Sequence, residues 1–78
     1  MSTQEVLRYV QARPFRPFCI RVSGGPVIDI RHPKMVRVGT REIIIFKYAS
    51  YEAEVYEEWD TVGLLLIESI SHLDAQVA

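Results

Sequence analysis

Residues 15–33, FRPFCIRVSGGPVIDIRHP, fold back on themselves in one register that keeps charge off an apolar face. Phe18, Ile20 and Val22 alternate with Cys19, Arg21 and Ser23, the period-two pattern of a strand with one buried side. Beyond Gly24-Gly25, Ile28 and Ile30 alternate with Val27, Asp29 and Arg31. A two-residue loop would set Ile20 against Asp29 and Phe18 against Arg31. A three-residue loop, Ser23-Gly24-Gly25, pairs Ile20 with Ile28 and Phe18 with Ile30. A slip of one residue turns every side chain to the other face, so burial selects the longer loop. Gly25 is expected to take the positive φ at the loop's last position, and Pro26 to open the return strand. A phosphate cradle would need a longer glycine pattern running into a helix, and here the chain continues as strand.

The rest of the chain reads as one short helix and further strands. Ser2-Thr3-Gln4-Glu5 is a capping-box pattern, and Val6, Leu7 and Val10 follow at helical spacing. A helix over residues 3–12 is expected, stopped by Arg13-Pro14 and docked on its own sheet. Phe15 and Phe18 cover one end of the core. The second strand runs over 26–38 with a bend at 32–33, where His32-Pro33 interrupts the alternation. Gly39-Thr40 turns into a third strand over 42–49, whose run Ile43-Ile44-Ile45-Phe46 has no polar face and implies cover on both sides. Ser50-Tyr51-Glu52 makes the next turn and 53–59 a fourth strand. There Val55, Tyr56 and Trp59 do not share one parity, which a bulge near Glu57-Glu58 reconciles. A helical turn capped by Asp60 spans 60–63, residues 64–70 form the last strand, and the tail frays from Ser71.

Seventy-eight residues make a single domain, 1–78, with a thin stability margin. Such domains add disulfides, a metal or association. One cysteine excludes an internal disulfide, and no Cys/His spacing suits a metal; the 49% hydrophobic content leaves association, so self-assembly is expected. No basic-then-apolar leader opens the chain and no apolar run approaches ~18 residues. A cytoplasmic protein with no membrane partner is therefore expected. Charge divides unevenly: residues 1–41 carry net +6 and residues 42–78 net −7. Either the halves interleave on the folded surface or they form a basic and an acidic face.

The order of elements, from short helix and Gly-turn hairpin through a bent second strand to two final strands joined by one helical turn, resembles the Sm-like fold. The resemblance covers residues 3–70. It implies a mainly β, five-stranded, strongly bent antiparallel sheet (a Sm-like or SH3-like small barrel) with an N-terminal helix. It also implies a ring-like homo-oligomer in which the fourth strand of one copy pairs with the fifth of the next. Gly25 matches the first conserved glycine of the family's first motif, and Ile30 stands near the place of the second. Tyr56-Glu57-Glu58 stands where bacterial members carry Tyr-Lys-His, so carboxylates replace the cationic pair that contacts bases. Arg13-Pro14-Phe15-Arg16-Pro17-Phe18 and His32-Pro33 also resemble a set of uncharacterised short bacterial proteins with an RPFxPF start, which implies no function.

No catalytic residue, metal ligand or cofactor site is assigned. Cys19, Asp29 and His32 form a conceivable nucleophile set, but a small barrel offers little room for an enclosed pocket, and Cys19 reads as a small residue on the outer sheet face. Arg31, His32, Lys34 and Arg37 cluster near the bend as candidate contacts for RNA or another polyanion. Glu57, Glu58 and Trp59 are candidate contacts for a second copy or another protein. Two functions follow: a non-enzymatic Sm-like scaffold for a polyanion, or a protein-interaction module with no nucleic-acid role.

Overall fold

The structure, a computed structural model, describes residues 1–50 and 55–76. Its elements are α1 (Thr3–Val10), β1 (Phe18–Val22), β2 (Val27–Ile30), β3 (Val36–Val38), β4 (Glu42–Ser50), β5 (Val55–Gly63) and β6 (Ile67–His72), with 3-10 turns at Pro33–Met35, Leu64–Leu66 and Leu73–Gln76. The architecture is mainly β: the described residues form two three-stranded antiparallel sheets, ordered β2-β1-β6 and β3-β4-β5, and no closed barrel.

The hairpin takes the longer loop: Phe18 faces Ile30, Cys19 faces Asp29 and Ile20 faces Ile28. The positive φ, +66°, falls on Gly24 and not on Gly25. The Gly25 N–H donates to the Val22 carbonyl (3.1 Å), so Gly24 is the third residue of a four-residue turn, the place where a type II turn needs φ above zero. The expected strand over 26–38 is two strands in different sheets. His32 caps the intervening 3-10 turn: its Nδ1 accepts the Lys34 N–H at 3.1 Å, and Pro33 starts the turn.

Core side chains come from both sheets and the helix. Val6, Phe18, Ile20, Ile30, Val36, Ile43, Ile45, Val62, Leu64 and Ile67 form one buried cluster. Full burial of such a side chain contributes roughly 1.5–3 kcal/mol. Helix α1 is held by the expected capping box, with Ser2 Oγ accepting from the Glu5 N–H and Glu5 Oε1 accepting from the Ser2 N–H, both at 3.2 Å. It docks on the first sheet through Tyr9, whose hydroxyl donates to the Ile70 carbonyl (3.3 Å) and whose ring lies 5.3 Å from that of Phe18.

Four expectations are corrected. Residues 60–63 continue β5, because pairing with Glu42, Ile43, Ile44 and Ile45 outweighs the capping preference of Asp60. The turn falls instead at Leu64–Leu66, and the last strand is Ile67–His72. The segment after Ser71 does not fray at once: it forms a turn over Leu73–Gln76, anchored by the Leu73 N–H on the Pro17 carbonyl (3.0 Å). Cys19 lies on the outer sheet face as expected but is 3% exposed there, because β1 is the central strand and the side chain lies between Asp29 and Ser71 of its neighbours. The expected turn at 50–52 and the start of the fourth strand at 53–54 fall on or run into residues 51–54, outside the described residues.

Candidate functional site

Strand β4 settles which side of the second sheet is which. Ile43 and Ile45 enter the core, whereas Ile44 and Phe46 point the other way and are half-buried, so the strand is fully covered on one side only. An antiparallel sheet keeps paired residues on one face. The register therefore puts Arg37 beside Ile44, Trp59 beside Phe46 and Tyr56 beside Tyr48, all on the outer face.

Tyr56 reaches that face only because of a bulge. Lys47 pairs with Glu58 and Tyr48 with Tyr56, so Glu57 is an extra residue with no partner in the ladder. The bulge expected near Glu57-Glu58 is present and brings Tyr56 to the face of Trp59, while Val55, next to Tyr56 with no extra residue between them, stays on the other. The rings are close: Phe46 to Tyr48 is 6.1 Å between centroids, Phe46 to Tyr56 is 5.0 Å, and Trp59 meets Tyr56 edge-on at 5.9 Å. These spacings lie within the range of favourable aromatic pairs. Tyr56 is 48% and Trp59 59% exposed, so the stripe faces solvent.

Lys34, from the 3-10 turn, and Arg37, from β3, border a groove with Phe46, Tyr48 and Tyr56, of about 320 Å³. No described residue forms an ion pair with Arg37. The other two basic candidates lie outside this groove. Arg31 pairs with Asp29 (3.2 Å) on the exposed hairpin, and His32 caps the Pro33–Met35 turn.

The carboxylates sort to other places. Glu58 pairs with Lys47 (3.7 Å) and Asp60 lies opposite Ile45, so both are on the face away from the rings. The Lys47–Glu58 pair is exposed and contributes at most about 1 kcal/mol. Glu57, Glu58, Trp59 and Asp60 line a shallow depression at the β5 edge. Between the halves of opposite charge, Arg16 and Asp74 form an exposed ion pair (2.8 Å) within one chain.

Sequence reasoning missed Phe46, Tyr48 and Tyr56 as neighbours of Lys34 and Arg37. The signal was present in the parity conflict, but neighbours along the chain do not reveal which face a charge occupies.

A second cavity, of about 360 Å³, is lined by Glu5, Arg8, Tyr9, Ala12 and His72. Its one orphaned polar atom, His72 Nδ1, is sealed from solvent, so nothing entering the cavity reaches it. Cys19 Sγ lies 3.5 Å from Ser71 Oγ. Among the described residues, no group of three or more His, Cys, Asp or Glu side chains could hold a metal ion, and no helix is long and apolar enough to cross a membrane. No family model, curated protein or solved structure matches the chain.

Proposed function

We propose that the protein is a non-enzymatic, Sm-like subunit that assembles with copies of itself into a binding scaffold for RNA or another polyanion. The observation that carries this reading is a pair of open sheet edges. Among the described residues, β5 is hydrogen-bonded to β4 alone and β6 to β1 alone. Counting residues 27–38 as one strand bent at the Pro33–Met35 turn gives five strands, with the fourth and fifth at the two open ends. Those are the strands that the Sm-like fold joins between copies. Exposed apolar residues flank both edges: Val55, Tyr56 and Trp59 on β5, and Leu65 (95% exposed) and Leu66 just before β6. An unpaired edge with apolar side chains is a template for another strand.

A second reading, a protein-interaction module without a nucleic-acid role, draws on the same edge. The bulge at Glu57 and the carboxylates of Glu58 and Asp60 guard β5 against indiscriminate pairing and suit a basic partner. Light scattering at micromolar concentration separates the two. A self-assembled scaffold has a mass well above the 9.0 kDa of one chain, and the double variant Glu57→Lys, Glu58→Lys lowers it. A monodisperse monomer leaves the second reading.

A further inference from the structure

We propose that the outer face of β3-β4-β5 binds single-stranded nucleic acid, stacking a base on Tyr56 and Tyr48 and seating an adjacent phosphate on Arg37 and Lys34. The proposal rests on the polyanion reading above and names its ligand class and site.

Three observations carry it. The first is the exposure of the rings. Phe18, the aromatic residue of the first sheet, is fully buried, while Tyr56 and Trp59 are about half exposed and sit in a continuous run with Phe46 and Tyr48. A stripe of that kind on a small domain marks a surface that meets something flat and apolar. The second is the cationic border, where Lys34 and Arg37 share one groove with three of those rings. The third is the sorting of charge by the Glu57 bulge, which brings Tyr56 to the face of Arg37 and leaves Glu58 and Asp60 on the other.

Together these features distinguish a nucleotide from its competitors. A proline-rich peptide would use the rings but not the cations. An acidic peptide would use the cations but not the rings. A duplex hides its base faces and is held by many phosphate contacts, which two cations on a chain of net charge −1 do not supply. A single strand offers a ring and a phosphate at each unit, and stacking tolerates any base. A groove of about 320 Å³ is at the small end of ligand sites and suits one such unit.

Trp59, the chain's one tryptophan, meets Tyr56 edge-on and supplies the reporter. The experiment titrates the full chain with a twelve-residue uridine oligonucleotide at 50 and 200 mM salt and follows tryptophan fluorescence. Comparators are a duplex of equal length, uridine monophosphate, polyglutamate and a proline-rich peptide. The oligonucleotide should bind with the highest affinity. Tyr56→Ala should weaken it roughly 5- to 150-fold, the range of one lost stacked base. Arg37→Gln should flatten the salt dependence by about 0.7 in log–log slope, one phosphate contact on a single strand. Arg21→Gln, which removes an equal charge from the first sheet, should leave affinity within twofold. Tyr48→Ala repeats the ring test should Tyr56→Ala disturb folding.

Equal affinity for polyglutamate, unchanged by Tyr56→Ala and Tyr48→Ala, overturns the stacking proposal while the polyanion scaffold stands. Tighter binding of the proline-rich peptide overturns it in favour of the protein-interaction module. A monomeric mass with no anion bound at either salt overturns the scaffold reading itself.

Discussion

The two sheets are built alike and used differently. Each has three antiparallel strands. In the first, Phe18, Cys19 and Ile20 of the central strand are all buried, and the Phe18 ring is packed by Tyr9 from α1 and by Phe15. In the second, seven consecutive residues of β5 from Val55 are exposed and only Val62 is buried. Apolar content does not separate them, since both are rich in large side chains. Cover does. Helix α1 packs over the shared core, meeting β3 of the second sheet and Gly39 beyond it as well as Phe18 and Ile70 of the first, and among the described residues no helix crosses the outer side of the second sheet. Both sheets feed the one core, and the second also leaves a run of rings in solvent.

The largest test of that division is a matched pair of truncations. Phe18→Ala removes a fully buried ring and should cost about 3–5 kcal/mol. A domain of this length has roughly 4–12 kcal/mol in total, so the variant sits near unfolding. Trp59→Ser removes a larger ring that is 59% exposed and should cost about 0.5–1.5 kcal/mol, the range of its edge-on aromatic pair. Urea denaturation reads both. Comparable losses would show that the outer rings are core, and the division between the sheets would fail.

Deleting Glu57 is the next test, because it attacks the device and not the rings. Without the extra residue Tyr56 and Trp59 stand two positions apart, so strict alternation keeps both on the outer face and every remaining pair keeps its register. Oligonucleotide affinity should therefore stay close to that of the wild type, in contrast to Tyr56→Ala. The buried pair Ile43–Val62 lies beyond the bulge and keeps its partner. The melting temperature should move less than in Phe18→Ala. Loss of binding by the deletion variant would mean that the bulge itself, and not the shared face of the rings, sets the affinity.

Much of this was legible in the sequence wherever burial alone decides. The hairpin register was readable because its alternative puts Asp29 and Arg31 against apolar partners. The Glu57 bulge was readable because Tyr56 and Trp59 conflict in parity. Local preference misled where tertiary pairing overrides it. Asp60 looks like a cap, yet β4 holds 60–63 extended. The Leu64-Leu65-Leu66 run looks like buried strand, yet it turns, with Leu64 in the core and Leu65 in solvent. The run from Ile43 to Phe46 suggests two covered sides because the outer face of β4 is itself apolar. The groove was out of reach for a related reason. Lys34 and Arg37 meet Phe46, Tyr48 and Tyr56 through two sheet registers, and proximity in sequence associates those tyrosines with glutamates instead.

The smallest expected effect lies on the covered side of the comparison, at the start of α1. The Glu5 carboxyl is held below its ordinary value, chiefly by the hydrogen bond it accepts from the Ser2 backbone N–H and next by the Ser2 side chain. A carboxylate whose folded value is depressed contributes stability that is present above its unfolded value, about 4.3, and is lost as pH falls through the folded one. Acid should therefore loosen the first turn of α1 from about pH 4.3 downward. Val6, one position on, is fully buried, so the loosening reaches the core that both sheets share before it reaches the outer face of the second. Glu5→Gln keeps an acceptor at this position but cannot titrate. The difference between wild type and Glu5→Gln isolates this group from the other carboxylates. Amide exchange at residues 2–6, followed as pH is lowered, should accelerate in wild type and stay level in the variant, while the Trp59 fluorescence of both stays level. If Trp59 responds in step with those amides, the outer face of the second sheet loosens with the helix and the two sheets are one cooperative unit at acid pH.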